Sequence, residues 1–361
     1  MEPYEFLDKI AEGAYGSVWK CVHRSTGRFV AVKRLKDPTP LGSEEYEFAI
    51  REVKLLQMLN HVNVVQLIEA YQSTRGRLYL VFEYVEHTML SVLKTAFNHG
   101  QRLTNAHVKW MTRQLLAALS YMHSNNIIHR DLKPSNVLVS SAGTVKLCDF
   151  GFAKHWLQTS NMNTMRIGTP EYMGPELISS RTGYDGVKVD VWAAGVLLYV
   201  MLVGVFPFET QDDNFSNTAG LYDIWLQQIK TSWREAPNNS SAASRLSPEL
   251  KDMLDRMFEV KQDARIDVAG IRAHPWLLKP LPKPLASALK SLEVEQAKID
   301  TLVAQGAYKN SDADKMLEAM LEKAAAQAMP TEQVMRVPLS KVKRSAVIAL
   351  PDAMGAIKED A

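Results

Sequence analysis

The sequence predicts an α+β protein of two unequal lobes: a small sheet-rich lobe of five strands and one helix, then a larger, mainly helical lobe with a helical tail. Two observations carry this. Segments rich in Val and aromatic residues open the chain, and beyond Glu86 apolar residues recur at i, i+3 and i+4. A chain of 361 residues, 46% hydrophobic and 23% charged, can bury one large core or two smaller ones and is neither disordered nor fibrous.

The elements follow in order. Ala11 to Cys21 and Arg28 to Arg34 are β-like, with turn chemistry at Ser25-Thr26-Gly27 between them. Glu44 to Asn60 has helical spacing that places Ile50, Val53, Leu56 and Leu59 on one face and Glu52 on a neighbouring one. Strands around Val64 to Tyr71 and Leu78 to Tyr84 complete the small lobe. Helices are expected over Thr104 to Ser124, in the stretch beginning at Val191 and over Pro248 to Phe258, with a loop at Asn238-Asn239-Ser240-Ser241. Lys279-Pro280-Leu281-Pro282-Lys283-Pro284 reads as a semi-rigid linker. Beyond it Leu285 to Gln305 and Asp312 to Met329 read as helices, followed by a low-structure end. Ser311 and Asp314 resemble a capping box, and Met316, Leu317, Met320, Leu321 and Ala324 form a stripe expected to dock on the protein's own body. Asp314, Glu318 and Glu322 make that segment too acidic for a calmodulin target. Lys341, Lys343 and Arg344 form a short basic cluster read as solvated surface. There is no internal repeat.

A formal net charge of +2 gives no basis for nucleic-acid or anionic-membrane binding. The two cysteines, Cys21 and Cys148, make no disulfide framework, and the opening residues lack a basic n-region followed by an apolar h-region. An intracellular protein, cytoplasmic or nuclear, is expected. Val191 to Phe208 is free of charge over eighteen residues, long enough to cross a membrane. Gly195, Gly204 and Pro207 interrupt it, and a buried central helix is the better reading. The nine histidines show no metal-ligand spacing with cysteine or carboxylate.

The chemistry is concentrated in His129-Arg130-Asp131-Leu132-Lys133-Pro134-Ser135-Asn136 and Asp149-Phe150-Gly151. Together they supply a base, a charge-neutralising lysine and two hard oxygen ligands. Phosphoryl transfer asks for that set, since it depends on positioning and on neutralising charge. Asp and Asn are common in turns, so each residue alone says little; the combination says much more.

With Gly13-Ala14-Tyr15-Gly16-Ser17-Val18 and Val30-Ala31-Val32-Lys33 upstream, four motifs fall in the order of the eukaryotic protein kinases, which the chain resembles from about Tyr4 to Leu278. The resemblance implies a bilobal fold, with an antiparallel five-stranded N-lobe over 4–86, a C-lobe over 87–278, a linker over 279–284 and a tail over 285–361. It also implies ATP and Mg2+ as cofactors and protein substrates. Asp131 would accept the substrate hydroxyl's proton and Lys133 would neutralise the phosphoryl group. Asn136 and Asp149 would hold magnesium, and Lys33, paired with Glu52, would contact the phosphates. Ile10, Gly13, Gly16, Val18, Ala31 and Leu138 would surround the nucleotide beside Glu83-Tyr84-Val85, with Phe82 as gatekeeper. Ala11 stands where the family has its first glycine, which predicts weaker nucleotide binding. Asp190 would hold the catalytic-loop backbone, Glu176 of Gly174-Pro175-Glu176 would pair with Arg265, and His129 and Cys148 would pack rather than react. Lys133 marks the serine/threonine branch.

Leu78 to Leu90 resembles cyclin-dependent-kinase-like enzymes. Gly168-Thr169-Pro170-Glu171-Tyr172 and His274-Pro275-Trp276 resemble calcium/calmodulin-dependent and SNF1-related kinases. Tyr172-Met173 lack the arginine of proline-directed enzymes, and Ser135 and Met89 stand where arginine-reading enzymes carry acids. Selection of an apolar residue after the target hydroxyl is therefore expected. Arg130 would receive a phosphate from the activation segment, placed there by an upstream kinase. Thr164 is favoured, with Ser160 and Thr159 in reserve. Thr169 is excluded as acceptor because in the family it bonds the catalytic aspartate and lysine. Two rival readings are a catalytically weak pseudokinase acting as a scaffold, for which only Ala11 speaks, and a small-molecule kinase, against which the platform from Thr169 to Glu176 argues.

Overall fold

Strands β1 (Tyr4–Gly13), β2 (Gly16–His23), β3 (Phe29–Leu35), β4 (Leu67–Gln72) and β5 (Leu78–Glu83) form one antiparallel sheet in the order β1-β2-β3-β5-β4. This computed structural model describes residues 3–13, 16–35, 44–73, 77–155, 168–179, 183–209, 218–235 and 244–305. The pleat of β3 sorts its residues by alternation. Val30 and Val32 are buried with Cys21, Tyr79 and Val81 on one face, which leaves Ala31 and Lys33 for the other. The segment expected as one β-like run from Ala11 to Cys21 is divided between β1 and β2. Their junction needs a glycine at Gly16, where an added Cβ would lie 2.2 Å from the Arg34 carbonyl oxygen.

Helix α1 (Glu44–Met58) sits between β3 and β4, with Ile50, Val53 and Leu56 buried as their spacing predicts. Helix and strand are both shorter here than the apolar pattern suggests. α1 stops before Asn60, and β4 begins at Leu67 rather than Val64. The intervening residues are apolar for a different reason, because they cross to the second lobe. The Val65 amide donates to Leu147 O at 2.8 Å, Leu147 donates to Asn63 O at 2.9 Å, and the Asn60 amide donates to Tyr121 Oη at 2.9 Å.

The second lobe is built on helices, with short strands at its upper surface. After β6 (His87–Thr88) come α2 (Met89–Asn98) and α3 (Asn105–Ser124), then β7 (Ile127–Ile128), β8 (Val137–Val139), β9 (Val145–Leu147) and β10 (Lys154–His155). Thr104 caps α3 through its side chain, an N-cap role that accounts for its place at the head of the predicted helix. Among the described residues the remaining α-helices are α4 (Pro175–Ser179), α5 (Gly186–Val203), α6 (Thr218–Lys230), α7 (Pro248–Met257), α8 (Val268–Arg272), α9 (Pro275–Leu278) and α10 (Lys283–Ala304). α5 has the length and a mean hydropathy of 1.8 for a membrane span, yet 83% of it is buried in the protein, with Trp192 and Tyr199 wholly enclosed. It is the central helix of the lobe.

The segment read as a linker is held to the lobe. Arg113 donates to the carbonyls of Leu277 and Lys279, Lys279 pairs with Glu249, Leu281 is buried, and Lys283 already belongs to α10. α10 extends back along α3 to the loop after α1. The second tail helix, expected over Asp312 to Met329, lies outside the described residues, as do the capping box and the basic cluster.

His61, in that loop, lies against Tyr121 and its Nδ1 accepts from the Asn63 amide. Burial lowers its imidazole to about 4, with Lys146 and Arg272 adding to the effect and Asp300 opposing it. A histidine held below its ordinary 6.5 stays neutral in the folded protein while the unfolded chain takes up a proton. Stability is therefore insensitive to this group above about pH 6.5 and falls as the pH drops from there towards 4. Between about pH 6.5 and 5 the loss should reach roughly 2 kcal/mol. His61→Asn, which keeps an acceptor for Asn63, should flatten that part of a melting-temperature profile. Identical slopes in the two proteins would contradict the assignment.

Candidate active site

The cleft between the lobes brings together residues from β3, α1 and the loops around β8 and β9. Lys33 Nζ lies 2.9 and 2.8 Å from the two carboxylate oxygens of Glu52 and 3.4 Å from Asp149 Oδ1. Glu52 is 4% exposed, so its charge is compensated by the lysine and not by water. Burial would lower the Lys33 ammonium, but Glu52 and Asp149 outweigh it and hold the group above its ordinary range. Asp149 stands in a left-handed conformation, φ 62°, with its side chain about half exposed. Burial pushes its carboxyl up, but Lys33 and His129 pull it below its ordinary value, so it is anionic at neutral pH.

Asp131 is buried and held at both oxygens. Oδ1 accepts from Thr169 Oγ1 at 3.1 Å, and Oδ2 receives Asn136 Nδ2 and Lys133 Nζ, each at 2.8 Å. Lys133 Nζ also reaches Thr169 Oγ1 at 2.9 Å, so base, lysine and threonine form one closed network. That is the arrangement the resemblance implied for Thr169. Asn136 spends its amide nitrogen on Asp131 O and Oδ2, which leaves its Oδ1 as a hard oxygen donor that the anionic carboxylate of Asp149 complements in kind. This donor set fits Mg2+. Among the described residues no group of three His, Cys, Asp or Glu has metal-binding placement, and a magnesium ion bound here would be completed by phosphate oxygens and water.

The supporting residues stand where the sequence predicts. Asp190 Oδ2 and Oδ1 accept from the amides of His129 and Arg130 at 2.9 and 2.8 Å, and His123 Nε2 lies 2.8 Å from Oδ2. His129 is fully enclosed, bonded to Cys148 O and packed on Phe150, so it is a structural residue. Burial raises the Cys148 thiol far above its ordinary value, which makes it a poor nucleophile. Arg265 meets Glu176 through two hydrogen bonds at 2.6 and 2.9 Å.

In the nucleotide-facing part of the cleft, Val18 is paired with Lys33 and Ala31 with Phe82, while Leu138 on β8 packs beneath. Ile10 is 48% exposed on β1, Gly13 pairs with Gly16 across β1 and β2, and Val85 follows β5. Glu83 differs from expectation in one respect. Its carboxylate accepts from the Gln66 amide at 2.8 Å and pairs with Lys146 at 2.9 Å, and its own amide donates to Gln66 O at 3.1 Å, so neither its side chain nor its N–H is left for a nucleotide. This brace was missed in the sequence because Lys146 sits in a strand whose alternation marks it merely as an outward residue. Met89, which stands where arginine-reading enzymes carry an acid, is 1% exposed and belongs to the core. Arg130 is half-buried at φ 68°, and its Nε donates to Phe152 O at 2.7 Å. Among the described residues no carboxylate pairs with it. Thr159, Ser160 and Thr164 lie outside the described residues.

A lysine ion-paired to the helix, an aspartate held by asparagine and lysine, and a second aspartate at the mouth of a two-lobed cleft are together the arrangement of a protein kinase domain. The family model for the protein kinase domain matches residues 4–277, and the chain belongs to that family. Cyclin-dependent kinase-like 2 of Rattus norvegicus is 42% identical over 292 residues, 80% of this chain and 56% of the rat protein. Its counterparts in Homo sapiens and Pongo abelii are 37% and 36% identical over 297 and 296 residues, 80% of the chain and 57% of each relative. The chain thus spans little more than half the length of these relatives. The cyclin-dependent-kinase-like side of the resemblance is shown; the likeness of the C-lobe to calcium/calmodulin-dependent kinases finds no counterpart among them.

Proposed function

We propose that the protein transfers the γ-phosphate of ATP to serine and threonine hydroxyls of other proteins, with Mg2+ as cofactor. The observation that carries this is the joint network of Asp131, Lys133, Asn136 and Thr169 facing the Lys33, Glu52 and Asp149 group. Asp131, fixed at both oxygens, orients the incoming hydroxyl and takes its proton as the new P–O bond forms. Lys133 offsets charge on the transferring group, and Lys33 holds the nucleotide's phosphates. Magnesium, held by Asn136 Oδ1 and Asp149, would neutralise the phosphate oxygens when bound. A scaffold without catalysis has no chemical use for the whole set. Thr164 remains the proposed acceptor of an activating phosphate that Arg130 would bind, delivered by an upstream kinase.

For substrate choice, Met173 and Tyr172 line the platform, with Met173 O fixed by Gln228 Nε2 at 2.8 Å and Tyr172 packed edge-on against Phe206. Both are buried, and neither brings a charge to the platform, which accords with selection of an apolar residue directly after the target hydroxyl. Neither Ser135 nor the buried Met89 can supply a charge to read arginine. Phosphotransfer to an arrayed library of serine, threonine and tyrosine peptides tests both statements. Incorporation into serine and threonine peptides with an apolar following residue is expected. Strong selection of arginine three positions before the hydroxyl, or of proline directly after it, would overturn the specificity; transfer to tyrosine alone would overturn the substrate class.

A further inference from the structure

Helix α10 is 22 residues long and contains no buried residue. It lies on the protein by a single stripe, Leu285, Ala288, Leu289, Leu292, Gln296 and Ile299, all half-buried and recurring in an i, i+3, i+4, i+7 pattern. A cavity of about 530 Å³ lies along this seam, lined among others by Val62, Leu277, Leu289 and Leu292. It is open to solvent, so the helix covers this part of the lobe only partly. One residue of the stripe is different. Gln296 uses both ends of its amide on the loop that follows α1: Oε1 accepts from the Val62 amide at 2.8 Å and Nε2 donates to Asn60 O at 3.2 Å. Asp300, one turn further on, accepts from the same Nε2 at 2.8 Å and orients it.

The loop thus gripped is the direct continuation of α1. Glu52 lies about two helical turns before Asn60 on a rigid element, so a displacement of the loop is carried to the carboxylate that holds Lys33. The other attachments of the loop go to α3 and β9, through Tyr121, Gln114 and Leu147, and these belong to the larger lobe. Gln296 adds a hold that comes from beyond the kinase domain.

We infer that Gln296 is a positioning residue, through which the docked α10 fixes the loop after α1 and thereby the arrangement in which Glu52 meets Lys33. Release of the helix removes two backbone hydrogen bonds from that loop and loosens α1. The consequence for phosphotransfer rests on the kinase reading above; the structural coupling does not.

Hydrogen exchange on the full chain tests it directly. Gln296→Leu keeps the apolar fit and removes both bonds. Exchange should quicken by about tenfold in peptides covering 59–65 and also 44–58, while β1 to β3 and α5 keep their protection. Gln296→Glu, which retains the acceptor for Val62 but loses the donor, should fall between. In kinetics, KM for ATP should rise several-fold in Gln296→Leu with KM for peptide unchanged, since Lys33 serves the nucleotide. Unchanged exchange in 44–58, or an equal loss of protection throughout both lobes, would overturn the inference. A wild type that transfers no phosphate yet shows the Gln296-dependent exchange would support the coupling and contradict the kinase reading instead.

Discussion

Asp149→Asn lowers the rate of phosphotransfer by about 100-fold or more while leaving the nucleotide-free melting temperature close to that of wild type. The first expectation follows from the removal of a positioned charge from a site that must neutralise a developing one. The second follows from burial. The Asp149 side chain is about half exposed, its nearest cation, Lys33, retains the two closer oxygens of Glu52, and Asn is isosteric with Asp. Lys33→Met should lose as much activity but not keep its stability. It leaves the carboxylate of Glu52, only 4% exposed, without a cation, and such a charge must be neutralised by proton uptake or paid for in stability. The enclosure of Glu52 separates the two polar cleft residues. Near-wild-type turnover of Asp149→Asn would contradict the mechanism, and equal melting temperatures for the two variants would contradict the account of the pair.

The largest expected effect on stability lies well away from the reacting atoms. Arg265 is 1% exposed, stacked at 4.8 Å over Trp192, and bonded to Glu176, Glu259 O and Lys188 O. Glu176→Gln leaves that guanidinium buried without its counter-charge, at a cost of about 3 to 5 kcal/mol. For a domain of this size the melting temperature should fall by roughly 6 to 15 °C. Arg265→Met combined with Glu176→Gln should cost less than the two single changes added together, because no isolated charge remains. A shift below about 2 °C in Glu176→Gln would show that the pair is dispensable. Because Glu176 opens α4 directly behind the Thr169 to Tyr172 platform, partial loss of activity should accompany the loss of stability.

Much of this was legible in the residues because the chemistry is local in sequence. Asp131, Lys133 and Asn136 lie within six positions, and their hydrogen bonds to one another follow from one tight loop. The apolar spacing of Ile50, Val53 and Leu56 was sufficient to place α1, and with it Glu52 opposite Lys33. Two kinds of feature were hidden. Val64 and Val65 read as the start of a strand because burial is all that an apolar run reports; their bridge to Leu147 in the other lobe leaves no trace in composition. The grip of Gln296 on Asn60 and Val62 joins residues more than 230 positions apart, and a lone glutamine in an exposed helix carries no signal of it. The brace of Glu83 by Lys146 was hidden for the same reason.

The central claim, that Asp131 and its partners carry out transfer to a hydroxyl, is tested most directly by single-turnover phosphotransfer from Mg-ATP to a serine or threonine peptide, with the product located by mass spectrometry. Wild type should place the phosphoryl group on the hydroxyl, and Asp131→Asn, which keeps its shape and its bond to Thr169, should do so at least about 100-fold more slowly with unchanged affinity for ATP. Equal rates in the two proteins, or nucleotide bound by wild type without any transfer, would contradict it and leave the chain a binding scaffold.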